Sequence, residues 1–120
     1  MTKITRFEDL NCWQEARILV KEIYKTSSKG KFGKDFGLID QIRRATVSIM
    51  TNIAEGFSRF HRKDSVRFYD FAQSSAAEVQ SLLYVAEDLE YIPEEFAEKL
   101  REDALHCQRM ILSLIKHYNK

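Results

Sequence analysis

The side chains of this 120-residue chain that could carry chemistry fall into a few groups, and each implies a different reaction. Histidine comes first, because imidazole serves both as metal ligand and as general base. His61 lies in a basic stretch, and His106 and His117 are eleven positions apart, about three helical turns. No His-x-x-x-His or Glu-x-x-His pair puts two ligands on neighbouring turns, as a metal site inside a helical bundle requires. No metal and no cofactor is expected.

A second group is the polar strip Gln41, Arg44, Ser48, Thr51, Asn52, Glu55 and Arg59, which repeats mostly at three and four residues and so occupies one side of a helix. Ser48, Asn52 and Glu55 resemble part of a catalytic strip, but no His or Lys base stands between them. The expectation is a hydrogen-bond and ion-pair network with Arg44 and Arg59, inside the bundle or across a subunit boundary. No catalytic residue is assigned, and the chain is not expected to be an enzyme. The run Gly30-Lys31-Phe32-Gly33-Lys34 suggests a phosphate loop, yet its glycines are three apart, no strand precedes them and no Lys-Ser/Thr pair follows. It reads as a solvated basic loop.

The third group is cationic. Lys29, Lys31 and Lys34 of that loop, with Arg59, Arg62, Lys63 and Arg67 further on, could together form one basic end that meets phosphates. Cys12 and Cys107 lack any Cys-x-x-Cys spacing and are expected as packing residues, with no disulfide, in a cytoplasmic protein.

The elements that must position these groups are helical. One Pro and four Gly leave few turns, and β-branched alternation is nowhere sustained. Apolar residues recur at helical spacing over about 9–28, 36–60, 61–91 and 93–118. In the first of these Leu10, Trp13, Ala16, Val20, Ile23 and Ser27 make the buried stripe, with Asp9 placed to cap it and Phe7 to fold back on it. The second carries Leu38, Ile42, Ala45, Ile49 and Ile53, widened by Ile39, Val47, Met50, Ala54 and Phe57 to about half the circumference. That is more apolar surface than one core absorbs. Gly56, near its end, implies a neighbour packed closely against it. The third presents Phe68, Ala72, Ser75, Val79, Leu82, Ala86 and Leu89. The fourth starts after Pro93 and presents Phe96, Leu100, Ala104, Cys107, Ile111, Leu114 and Tyr118, ending with cations at Lys116, His117 and Lys120. The fold class is all-α: a single antiparallel up-down-up-down four-helix bundle, assembling into a homo-oligomeric ring.

The formal net charge of +1 conceals a division. Residues 1–67 hold 14 Lys and Arg against 8 Asp and Glu, a balance of +6, whereas residues 68–120 hold 5 against 10, a balance of −5. A two-signed molecule can meet an anionic partner through one part or copies of itself through both. No apolar run approaches the ~20 residues that span a membrane, and no signal peptide is expected.

Four segments also resemble a known family: FEDLNCWQEA at 7–16, FGLIDQIRRATVSIMTNIAEGFSR at 36–59, RFYDFAQSSAAE at 67–78 and RMILSLIKHY at 109–118. They are similar to the bacterial four-helix-bundle proteins first noticed as reading frames within intervening sequences of large-subunit ribosomal RNA genes. The most specific match is the second helix, at Gln41, Arg43, Arg44, Ala45, Ser48, Ile49, Asn52, Ile53, Ala54, Glu55, Gly56 and Arg59. The resemblance implies a pentameric ring. It also implies kinship with the accessory variability protein of diversity-generating retroelements, a basic pentamer that binds nucleic acid and a reverse transcriptase. The chain departs from the family where it has Met50 in place of Pro, Phe32-Gly33 in place of Phe-Pro, and Ser74-Ser75 in place of Gly-Ser. Its near-neutral charge also departs from that basic relative. Two functions are therefore expected as alternatives: a homo-oligomeric adaptor that binds RNA or DNA without base specificity, or a protein-interaction scaffold that binds no nucleic acid.

Overall fold

A computed structural model describes residues 3–119. A single 3-10 turn, Phe7–Asp9, leads into α1 (Asn11–Ser27); a second, Phe32–Lys34, leads into α2 (Phe36–Ser58); α3 (Arg62–Asp88) and α4 (Glu94–Tyr118) complete the chain. No strand occurs among the described residues, and none of the helices is long and apolar enough to cross a membrane. The helices pack around one interior in the order α1, α2, α3, α4, with α4 returning to α1, in a body 45 × 23 × 19 Å.

The interior alternates large and small. Ile23, Ile42, Ile49, Ile53, Leu83, Leu100 and Ile111 are sealed from solvent, and between them Ala16, Ala72, Ala76, Ala86, Ala97 and Ala104 let the helices approach. Side-chain contacts fix the registers. Ser48 of α2 meets Ser75 of α3 while Gly56 meets Tyr69. Between α3 and α4, Tyr69 meets Tyr118, Gln73 and Gln80 meet Gln108, and Glu87 meets Arg101. Cys107 donates its thiol to the carbonyl of Cys12 at 3.6 Å, and burial pushes the two thiols up, Cys12 to about 11 and Cys107 to about 12. Neither forms thiolate at neutral pH, in keeping with a packing role.

Several local expectations are corrected. Asp9 does not cap α1: the N-cap position belongs to Leu10, and the entry is held by Phe7, whose ring stands edge-on to Trp13 at 5.2 Å. In α3 the buried stripe is turned by one residue at its start, so that Tyr69 is sealed while Phe68 is only half-buried. Leu89 is half exposed because α3 stops at Asp88. The stop is made by the backbone: Tyr91 N–H reaches Ala86 O at 2.9 Å, Glu90 N–H reaches Glu87 O at 2.9 Å, and Glu90 takes φ of 60°. That is the left-handed closure in which glycine is preferred.

The loop between α1 and α2 is not merely solvated. Phe32 is 1% exposed and stacks on Tyr91 at 5.4 Å, and Asp35 accepts both Leu38 N–H at 3.1 Å and the Tyr91 hydroxyl at 2.9 Å. Asp35 thus caps α2 and ties it to the α3–α4 turn. At the end of α1, Arg43 donates to Ser27 Oγ at 2.9 Å and to the carbonyl of Tyr24 at 3.2 Å, satisfying an acceptor the helix leaves open.

Candidate nucleic-acid interface

The two groups of cations do not share an end. Lys29, Lys31 and Lys34 precede α2, and Arg59, Arg62, Lys63 and Arg67 follow it. The 23 residues of α2 separate them by about 35 Å. All three loop lysines are exposed, but the Phe32–Tyr91 stack and the Asp35–Tyr91 hydrogen bond set them beside a shallow groove lined by Glu87, Glu90, Tyr91, Ile92, Pro93 and Glu94. That end of the bundle carries both signs.

The α2–α3 corner is different. α2 stops at Ser58, Arg59 continues extended with φ −74° and ψ 143°, and α3 starts at Arg62 after only three intervening residues. Gly56 allows this tight return. A Cβ there would lie 2.6 Å and 2.7 Å from the Tyr69 ring and 3.0 Å from the carbonyl oxygen of Ser65, so any other residue must displace a sealed side chain or backbone. The Tyr69 hydroxyl donates to that of Tyr118 at 3.2 Å; burial first, then this bond, holds it well above the usual tyrosine range. The same contact carries the last turn of α4 to the corner.

Cations gather on this braced turn. Arg62 and Lys63 are exposed at the start of α3. Arg59 and Arg67 both lie over the Phe68 ring, their guanidinium carbons 4.4 Å and 5.4 Å from its centre, and Arg59 also pairs with Glu55 at 3.2 Å. A shallow groove beside them is lined by Lys3, Leu10, Phe57, Arg62, His117 and Tyr118. It brings Lys3 and His117 to the same end. Sequence reasoning did not join these two to the site; the only available signal was the cationic close of α4.

The polar strip of α2 is divided rather than continuous. Gln41 is exposed. Arg44 pairs with Asp40 at 3.1 Å, both well exposed, and Glu55 pairs with Arg59, both about half exposed. Between these pairs Asn52 donates to Ser48 Oγ and to the Ser48 carbonyl, each at 2.9 Å, and the Ser48 and Ser75 hydroxyls share a hydrogen bond of 2.9 Å across the α2–α3 seam. The reason is helical reach: each arginine finds a carboxylate one turn away on its own helix and has no need of the serine. Beside the strip, Tyr24, Phe36, Ile39, Arg43 and Val47 line a groove on the outer face of α2, which Arg44, Ser48 and Thr51 of the strip border and in which Phe36 remains 78% exposed. Among the described residues no three His, Cys, Asp or Glu side chains converge as a metal site would require.

The family model described as 23S rRNA-intervening sequence protein matches residues 8–113. No curated protein matches. Among solved structures, a crystal structure of a protein of unknown function from the S23 ribosomal protein family of Bacteroides thetaiotaomicron superposes with a TM-score of 0.81. It is 24% identical and covers 88% of this chain and 95% of its own, a likeness of fold.

Proposed function

Because the chain belongs to the family of 23S rRNA-intervening sequence proteins, we propose that it is a non-enzymatic homo-oligomeric adaptor whose α2–α3 corner contacts RNA or DNA phosphates without reading bases. The observation that carries this is the gathering of Arg59, Arg62, Lys63, Arg67, Lys3 and His117 at one end, with Glu55 and Asp64 the nearby acids on the two helices. Phosphate binding needs several cations whose field adds, and a fixed corner brings them together without first ordering the backbone.

Assembly forms part of the same reading. The helices run up-down-up-down, in accord with the opposed registers of α2 with α3 and of α3 with α4. Copies meet through the outer face of α2, where Phe36, Tyr24, Ile39 and Val47 leave apolar surface uncovered. The resemblance favours a pentamer, with a protein partner such as a reverse transcriptase and a cytoplasmic setting.

The test is fluorescence anisotropy of a labelled RNA and a matched DNA duplex at about 50 and 200 mM salt. Wild type should bind at the lower salt and weaken steeply at the higher. Arg62→Glu/Lys63→Glu should abolish binding, whereas Lys29→Glu/Lys31→Glu, at the opposite end, should leave most of it. No binding by wild type at the lower salt overturns the adaptor reading. Light scattering after gel filtration measures the assembly; a monomer would remove the ring.

A further inference from the structure

One aromatic side chain of the corner stands almost wholly in solvent. Phe60, in the middle of the three-residue connection between α2 and α3, is 94% exposed, the most exposed large apolar side chain among the described residues. Leaving such a ring in water forgoes the free energy of its burial. Nor is it on a loose strand. Gly56 packs on Tyr69 behind the turn, Arg59 N–H bonds Gly56 O at 3.4 Å, and Ser65 N–H bonds the carbonyl of His61 at 3.1 Å. The ring is held out on a braced support, with the His61 ring nearly perpendicular to it at 5.0 Å.

The contrast with Phe68 is informative. That ring is covered by Arg59 and Arg67 and has a third neighbour in Phe71 at 5.8 Å, so its aromatic surface is already engaged. Phe60 has open faces with Arg62 and Lys63 two and three residues along. A ligand that satisfies both features must carry a flat aromatic group and anionic groups a few ångströms apart. An unpaired nucleotide does so. Stacking requires only a π-face, and the neighbouring phosphates meet the cations. A duplex hides its base faces in the stack and can use the cations alone.

Resting on the proposed phosphate-binding role of this corner, we infer that it takes single-stranded nucleic acid, an unpaired base stacking on Phe60 while the flanking phosphates meet Arg62, Lys63 and Arg67. The strand preference follows from the ring, and the salt dependence from the cations.

The experiment measures binding of a labelled oligothymidine of about twelve nucleotides and of a matched duplex by wild type, Phe60→Ala and Phe60→Trp, across a salt series. Phe60 supports no buried group, so the folded state of each variant is checked simply by circular dichroism. Wild type should favour the single strand, and Phe60→Ala should weaken it about tenfold. The slope against salt and the duplex affinity should stay unchanged, and Phe60→Trp should bind as wild type. If wild type binds both probes and Phe60→Ala binds as wild type does, this inference is overturned while the phosphate reading stands. If Phe60→Ala instead reduces the size of the assembly with affinity intact, the ring is covered by a second copy, and the inference is equally overturned. If wild type binds neither probe at about 50 mM salt, both fall.

Discussion

The two ends of the bundle hold their turns by opposite means. At the α2–α3 corner the return is locked by close apolar packing, Gly56 against Tyr69, and polar groups are left facing outward. At the other end the α1–α2 loop is locked through polar chemistry: Asp35 caps α2 and accepts the Tyr91 hydroxyl, and the loop lysines lie beside the glutamates of the α3–α4 turn. Positive charge therefore collects where shape does the holding. Charge is used up where hydrogen bonds and opposite signs do it. A whole-chain charge of +1 conveys nothing of this.

Substitutions can break the contrast, in descending order of effect. Gly56→Ala should destabilise the chain by about 2 kcal/mol and lower Tm by about 8 °C, despite the better helix propensity of Ala, because the new methyl collides with Tyr69 and the Ser65 carbonyl. Thermal unfolding by circular dichroism checks it, and an unchanged Tm would mean the corner is loosely packed.

At the loop end, Asp35→Ala removes the α2 cap and should cost about 1.5 kcal/mol, seen as a lower urea midpoint with an unaltered slope. This end should also respond to alkali. The hydrogen bond to Asp35 raises the Tyr91 hydroxyl above its ordinary value, so its stabilising contribution is complete below about pH 10 and is lost as pH rises through the raised value. The difference in Tm between wild type and Tyr91→Phe should shrink over that alkaline range. A difference that persists there would dissociate the tyrosine from the lock.

Glu90→Gly sharpens the comparison in the other direction. Glu90 holds the left-handed position that ends α3, and glycine accepts φ of 60° without steric cost, so stability should rise by about 1 kcal/mol. Finally, Glu55→Ala, expected to matter greatly if its network were buried, should cost only about 0.5 kcal/mol in the isolated chain. Its pair with Arg59 is a half-exposed i, i+4 contact. A loss several times larger in the assembled protein would place Glu55 at a subunit contact.

Periodicity alone made the four helices legible, because 3.6-residue spacing of Ile42, Ala45, Ile49 and Ile53, or of Leu100, Ala104, Cys107 and Ile111, is a local property. The need for a close neighbour at Gly56 was equally local. What could not be read was distance. Two lysine- and arginine-rich stretches flanking one helix looked like a single basic surface, yet a rigid helix of 23 residues holds its ends apart. Nor could sequence say that Phe32 is sealed while Phe60 is bare, since both are phenylalanines in short polar connections. Which of them finds a core depends on Tyr91, fifty-nine positions from one and thirty-one from the other, and only the folded bundle brings it to Phe32. The sequence by itself determined the helices, most of their buried stripes and the division of charge. Tertiary structure decided which distant cations join one end and which aromatic ring stays bare, because both depend on contacts between residues far apart along the chain.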